Sequence, residues 1–225
     1  MKKLAMVLAE ILLMFFAITE PVISGEGSNS DTNSSGRVVF SQRLHDVNYD
    51  LNIDSAIEAG KYNDVADRYK IENYFISKYT GIQSTDFSLV QFDQGVTYEE
   101  VLKDLAKKNL RPAELTELLA FGAQYPGIQL YFDVIALGST FDSLTMNLET
   151  GKSFKRKHVF HLGGYLEDHS YDGYRNAERF ISTLEIFEET STGEVSYGKV
   201  SDPYYGYELF LAMPVASDRF LQRRK

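Results

Sequence analysis

Leu130-Tyr131-Phe132-Asp133-Val134-Ile135-Ala136-Leu137 is a largely continuous apolar run that stops at Gly138. A strand covered on both sides has no polar face to alternate with, so this run predicts a strand buried above and below at the centre of a sheet. Just upstream, Pro112 suits the first position of a helix with Glu114 in its first turn and Leu115, Leu118, Leu119 and Ala123 facing the core. Gly122 and Pro126 mark its end. Before that, Thr97-Tyr98-Glu99-Glu100 is a capping box. It opens a helix with Tyr98, Val101, Leu102, Leu105 and Ala106 on one face, Lys107 and Lys108 in the last turn, and Asn109 beyond. Phe87 and Leu89 point one way and Val90 and Phe92 the other, which predicts another doubly buried strand closed by Gly95.

Further out the patterns shorten. Val38-Val39-Phe40 is apolar, and Val47, Tyr49, Leu51 and Ile53 alternate with Asn48, Asp50 and Asn52 at the period of a half-buried strand. Asp54 is a candidate N-cap for a short helix carrying Ile57 and Ala59 and ended by Gly60. Residues 61–79 space their aromatic and aliphatic side chains as a second helical piece, although Tyr and Phe clusters also suit strands. Downstream, 158–162, 180–187 and 207–213 read as strands separated by long polar loops. A strand, two helices and a strand followed by a loop-rich antiparallel strand meander define an α+β class, with one globular domain over residues 37–225.

Composition narrows the chemistry. With 225 residues and 44% apolar side chains the chain has material for a proper core. A formal charge of -9 repels phosphate backbones, so nucleic acid is not an expected partner. The absence of cysteine excludes disulfides, thiolate nucleophiles and cysteine-ligated metal centres.

Lys2 and Lys3 precede the apolar octet 11–18, then come Pro21 and Val22-Ile23-Ser24, the order of a secretory signal over residues 1–24 cut after Ser24. Glu10 shortens the apolar stretch below a bilayer-spanning length, which favours a cleaved signal over a retained membrane anchor and leaves no stable span after processing. Without a cysteine near the cut, a lipoprotein anchor is excluded. Residues 25–36 hold no large apolar side chain and read as a flexible linker. The expected product is secreted or periplasmic.

The blocks Leu110-Arg111-Pro112-Ala113, Glu117-Leu118-Leu119, Val134-Ile135-Ala136-Leu137-Gly138-Ser139 and Phe210-Leu211-Ala212 resemble a family of uncharacterised bacterial proteins. The order of a strand, a helix, an Arg-Pro-led helix containing Glu and a loop-rich meander also resembles the C-type-lectin-like fold, including its formylglycine-generating branch. That fold's calcium-dependent sugar sites use Glu-Pro-Asn or Trp-Asn-Asp runs, and its oxidising branch needs cysteine. This sequence has none of them, so the resemblance implies the fold without those activities.

His158, His161 and His169 with Asp168 and Asp172 are the one cluster with metal-ligand chemistry. Strand residues three apart face opposite ways, so His158 and His161 are not expected to share an ion, and neither a metal nor another cofactor is expected. Gly163-Gly164 lacks the helix start of a phosphate cradle and reads as a turn or bulge. The adjacent acids Glu167 with Asp168 and Glu188 with Glu189 read as solvated faces. The informative feature is loop chemistry. Tyr165, Tyr171, Tyr174, Arg175 and Asn176 in a loop over 163–178, and Tyr197, Tyr204 and Tyr205 in a loop over 191–206, combine rigid rings with hydrogen-bonding groups. The expected function is a non-enzymatic binding module for a protein or glycan ligand. The alternative is an extracytoplasmic hydrolase of an envelope polymer, working through Asp168, His169 or Asp172.

Overall fold

The computed structural model describes residues 35–66, 71–73, 77–93, 95–146, 151, 153–169, 174–186, 188–189, 196–197 and 208–215. At 145, 154, 166–169, 174–176, 185–186, 188–189 and 196–197 the description is of backbone alone. The expected signal segment and residues 25–34 of the expected linker lie outside these residues. In chain order the elements are β1 (Arg37–Asn48), α1 (Ile53–Gly60), β2 (Asp64–Val65), β3 (Ile82–Gln91), α2 (Tyr98–Lys107), β4 (Leu110–Pro112) and α3 (Leu115–Gln124). A 3-10 turn (Ile128–Leu130) leads into β5 (Asp133–Met146), followed by β6 (Ser153–His169), β7 (Tyr174–Ile186), β8 (Glu188–Glu189), β9 (Ser196–Tyr197) and β10 (Glu208–Pro214).

The large sheet runs β1-β3-β10-β5-β6-β7-β2, with β4 joined to β10, while β8 and β9 pair separately. β5 is central, as the apolar run predicts, but it takes up only 133–137 of that run, because Leu130 closes the 3-10 turn and Tyr131 is exposed beyond it. Its side chains alternate between two buried clusters. Val134 and Ala136 pack with α1 and α3 through Ala56, Leu118, Leu119 and Phe121, and Ile135 and Leu137 pack with α2 through Val101 and Leu105. β3 divides the same way, with Phe87 and Leu89 on the first face and Val90 and Phe92 on the second. The result is an α+β domain with helices on both faces of one mixed sheet.

The capping box at Thr97 is present, with Glu100 accepting from the Thr97 backbone N–H at 2.7 Å. Other local expectations move. β1 ends at Asn48, and the alternation over 47–53 spans a turn. There Asn52, not Asp54, caps α1, accepting from Ser55 N–H at 2.9 Å. Pro112 lies in β4 rather than at a helix start, because this short segment pairs with β10 (Pro112 opposite Ala212) before α3 begins at Leu115. Within 61–79, Asp64–Val65 is a strand parallel to β7 and only 71–73 is described as helical.

The last strand does not extend the meander. β10 inserts between β3 and β5, antiparallel to the first and parallel to the second. Five consecutive buried residues, Leu209 to Met213, are the sequence trace of that central place. Ser35 and Gly36, the end of the expected linker, are packed rather than free. Asp104 of α2 accepts from Gly36 N–H at 3.1 Å and Ser35 Oγ at 3.3 Å, and Lys108 pairs with the same carboxylate at 2.6 Å.

Candidate functional site

β6 and β7 outrun the sheet. β5 reaches β6 no further than the Val134–Leu162 pair, and β2 reaches β7 only at Phe180 and Ile181. From Gly163 to His169, β6 is paired with β7 from Phe180 back to Tyr174, giving a two-stranded ribbon. Two-stranded ribbons are marginal alone, and this one is fixed at its root. The Arg179 backbone N–H donates to Asn63 Oδ1 at 2.9 Å, its Nη2 donates to the Lys61 carbonyl at 2.9 Å, and its carbonyl accepts from Asn63 N–H at 2.8 Å. On the other strand the 3-10 turn closes over Gly164, where a Cβ would come within 3.0 Å of the Gln129 carbonyl.

Tyr165, Tyr174, Arg175 and Asn176, expected in one long loop, therefore belong to strands. A two-stranded ribbon exposes both faces to water and accepts polar side chains at every position, so polarity alone resembles a loop. Register puts positions 165, 174 and 176 on one face and 175 on the other. Tyr165 is exposed and its hydroxyl donates to the Glu178 carboxylate directly across the ribbon. Tyr171, Asp172, Tyr204 and Tyr205 lie outside the described residues. Asp168 and His169 are strand positions of backbone alone, and Tyr197 lies in β9, paired with Glu188.

His158 and His161 do point apart. His158 stacks flat on Phe141, with ring centroids 4.6 Å apart, and its Nε2 lies 2.7 Å from Ser143 Oγ. With 2% exposure it is a core histidine seated against an aromatic ring. His161 lies on the opposite face, edge-on to Phe180, with Nδ1 3.8 Å from Asp133 Oδ1. Burial lowers the His161 pKa to about 4, so at neutral pH the imidazole is uncharged and this contact is not an ion pair. Burial likewise raises the carboxyl of Asp133 above its usual range.

Gly163-Gly164 is neither turn nor bulge but mid-strand. A Cβ at 163 would fall 2.6 Å from Asp133 Oδ1 and 2.5 Å from the Phe180 ring. Gln129, fully buried, donates toward the Gly163 carbonyl at 3.4 Å.

Composition and motif reading missed the ionic centre at the start of α3. Arg111 holds the fully buried Glu117 through Nη2 to Oε1 at 2.6 Å and Nη1 to Oε2 at 2.9 Å. Tyr49 donates to the same carboxylate at 2.6 Å, and so does the Glu114 backbone N–H at 2.8 Å. Burial, then the charge of Glu117, raises the Tyr49 pKa, so its phenol stays a donor. The four quoted motif blocks meet at this junction. Gly138 N–H donates to the Ala113 carbonyl at 2.8 Å, Leu115 N–H to Ser139 Oγ at 2.9 Å, and Ala113 N–H to the Leu211 carbonyl at 3.0 Å. A junction buried and hydrogen-bonded in this way holds the sheet to α3.

No family model, curated protein or solved structure matches this chain. Among the described residues, no helix is long and apolar enough to cross a membrane.

Proposed function

We propose that the chain is an exported, non-enzymatic binding module that engages a protein or glycan ligand through the β6–β7 ribbon. The observation that carries this reading is the projection of the ribbon beyond the sheet from Gly163 and Phe180, with Tyr165 exposed and bonded to Glu178. A tyrosine held by a cross-strand carboxylate offers a rigid amphipathic ring with little rotamer entropy left to lose on binding. Export is supported by the order of charged, apolar and breaker residues over 1–24.

Co-sedimentation of the full chain with isolated bacterial envelopes tests the reading. Retention without release of soluble fragments is expected, and pretreating the envelopes with protease or with glycan hydrolases identifies the ligand class. Release of fragments in proportion to added chain would instead establish the envelope hydrolase.

A further inference from the structure

One face of the ribbon gathers acidic and aromatic side chains without a base among them. Side chains alternate along a strand, so positions 161, 163 and 165 of β6 share a face, opposite 182, 180 and 178 of β7. A Cβ at Gly163 would meet Asp133 Oδ1 at 2.6 Å and the Phe180 ring at 2.5 Å, which places both groups on that face. Gln129 and Leu130 crowd Gly164 on the other face, where Arg179 lies over the Tyr62 ring. Two residues beyond Gly163, a step of about 7 Å, Tyr165 and Glu178 form the next cross-strand pair on the face of Asp133. Two carboxylates and two rings thus stand in a row, each at least partly open to water.

Neither carboxylate meets a cation. Among the described residues no Lys or Arg lies within ion-pair distance of Asp133 or Glu178, and Glu178 accepts from the Tyr165 hydroxyl. The group facing Asp133 is His161, 6% exposed, whose Nδ1 lies 3.8 Å from Asp133 Oδ1 and has no hydrogen-bond partner among the described residues. Burial keeps this imidazole neutral, and it raises the Asp133 carboxyl with no opposing charge at hand. A half-buried anion backed by a neutral ring is short of a positive charge.

We propose that Asp133, Phe180, Tyr165 and Glu178 form the site at which the ribbon takes up an arginine side chain of a partner protein, an assignment that rests on reading the ribbon as the binding surface. A guanidinium has donors along two edges, so it can serve both carboxylates while lying flat against a ring. The ring faces add a cation–π attraction. An ammonium is a compact point charge that makes no such flat contact, and a neutral glycan would leave both carboxylates without a counter-charge.

The test follows the backbone amide resonances of the full chain during titration with the blocked peptide acetyl-Gly-Arg-Gly-amide. Shifts are expected at Gly163, Tyr165, Glu178 and Phe180. They should be absent with the citrulline peptide, which keeps the shape and loses the charge, and weaker with the lysine peptide. Asp133→Asn and Glu178→Gln, nearly isosteric changes at partly exposed positions, should keep the wild-type unfolding temperature. Each should weaken arginine binding roughly tenfold or more, the worth of a hydrogen bond to a charged group. The proposal is overturned if the citrulline or lysine peptide matches the arginine peptide, or if either variant keeps wild-type affinity. It is equally overturned if a neutral oligosaccharide, cellotetraose, moves the same amides where the arginine peptide does not. No envelope enters this titration, so its failure is distinct from a failure of the ribbon to retain the chain on envelopes.

Discussion

The guanidinium of Arg111 and the carboxylate of Glu117 form a two-pronged pair inside the domain, with Glu117 wholly excluded from water and Arg111 about one-fifth exposed along its side chain. Arg111 also lies over the ring of Tyr79, 4.7 Å from its centroid. Burial alone would lower the Arg111 pKa, but the hydrogen bonds and charge of Glu117 raise it, so the guanidinium stays charged.

The asymmetry of exposure orders the mutants. Arg111→Met strands a buried carboxylate and is expected to cost about 3–5 kcal/mol. Glu117→Gln leaves an arginine that can still reach water and costs less, and Tyr49→Phe removes one charge-assisted bond worth about 1.5–3 kcal/mol. Urea unfolding checks the ranking. Equal losses for Arg111→Met and Tyr49→Phe would contradict it.

Two glycines differ in kind. At Gly138 a Cβ would meet the backbone carbonyls of Ala113 and Pro112 at 2.5–2.9 Å, which cannot move without parting β5 from the end of β4. Gly138→Ala is expected to cost about 3 kcal/mol or more. Gly81 has open space but φ +77, so Gly81→Ala costs only about 1–2 kcal/mol of backbone strain. Thermal unfolding of both variants separates steric from conformational cost.

Asp104 clamps the start of the domain to α2 through Gly36 and Ser35. Asp104→Ala leaves the Gly36 N–H without its acceptor and is expected to cost about 1–3 kcal/mol. It should also open residues 35–40 to protease, read as new N-termini in limited digestion. Unchanged cleavage would place the clamp elsewhere.

The neutral burial of His161 gives a pH dependence with a definite sign. Its folded pKa of about 4 lies below the ordinary 6.5, so between those values the unfolded chain binds more protons. Stability is full above about pH 6.5 and falls by up to roughly 3 kcal/mol as pH drops toward 4. The raised carboxyl of Asp133 opposes this in part. The difference in urea midpoint between wild type and His161→Gln, followed from pH 7.5 to 4.5, should shift in favour of the variant on acidification. A constant difference would show that His161 does not titrate as a buried group.

What the sequence disclosed followed contact range. The Thr97–Glu100 box is a four-residue event, and the two-sided burial of 87–92 and 134–137 is encoded in consecutive side chains, so these elements were legible. Pro112 misled because its first-turn preference is local, whereas its pairing with Ala212 joins segments far apart in sequence. The insertion of β10 between β3 and β5 is likewise a long-range choice written in no single stretch. Of the ribbon, the residue types were legible and the strand pairing was not, since alternation loses its meaning where both faces meet water. The Arg111–Glu117 pair was hidden because a six-residue spacing across a strand-to-helix corner has no periodic signature.

Retention of the full chain on isolated envelopes, compared between wild type and a ribbon variant carrying Tyr165→Ala, Tyr174→Ala and Arg175→Ala, tests the binding account most directly. Removing central aromatic and arginine anchors costs about 2 kcal/mol or more in typical interfaces. Retention should therefore fall at least tenfold while the unfolding temperature stays at the wild-type value. Undiminished retention by a folded variant would contradict the assignment of binding to the ribbon.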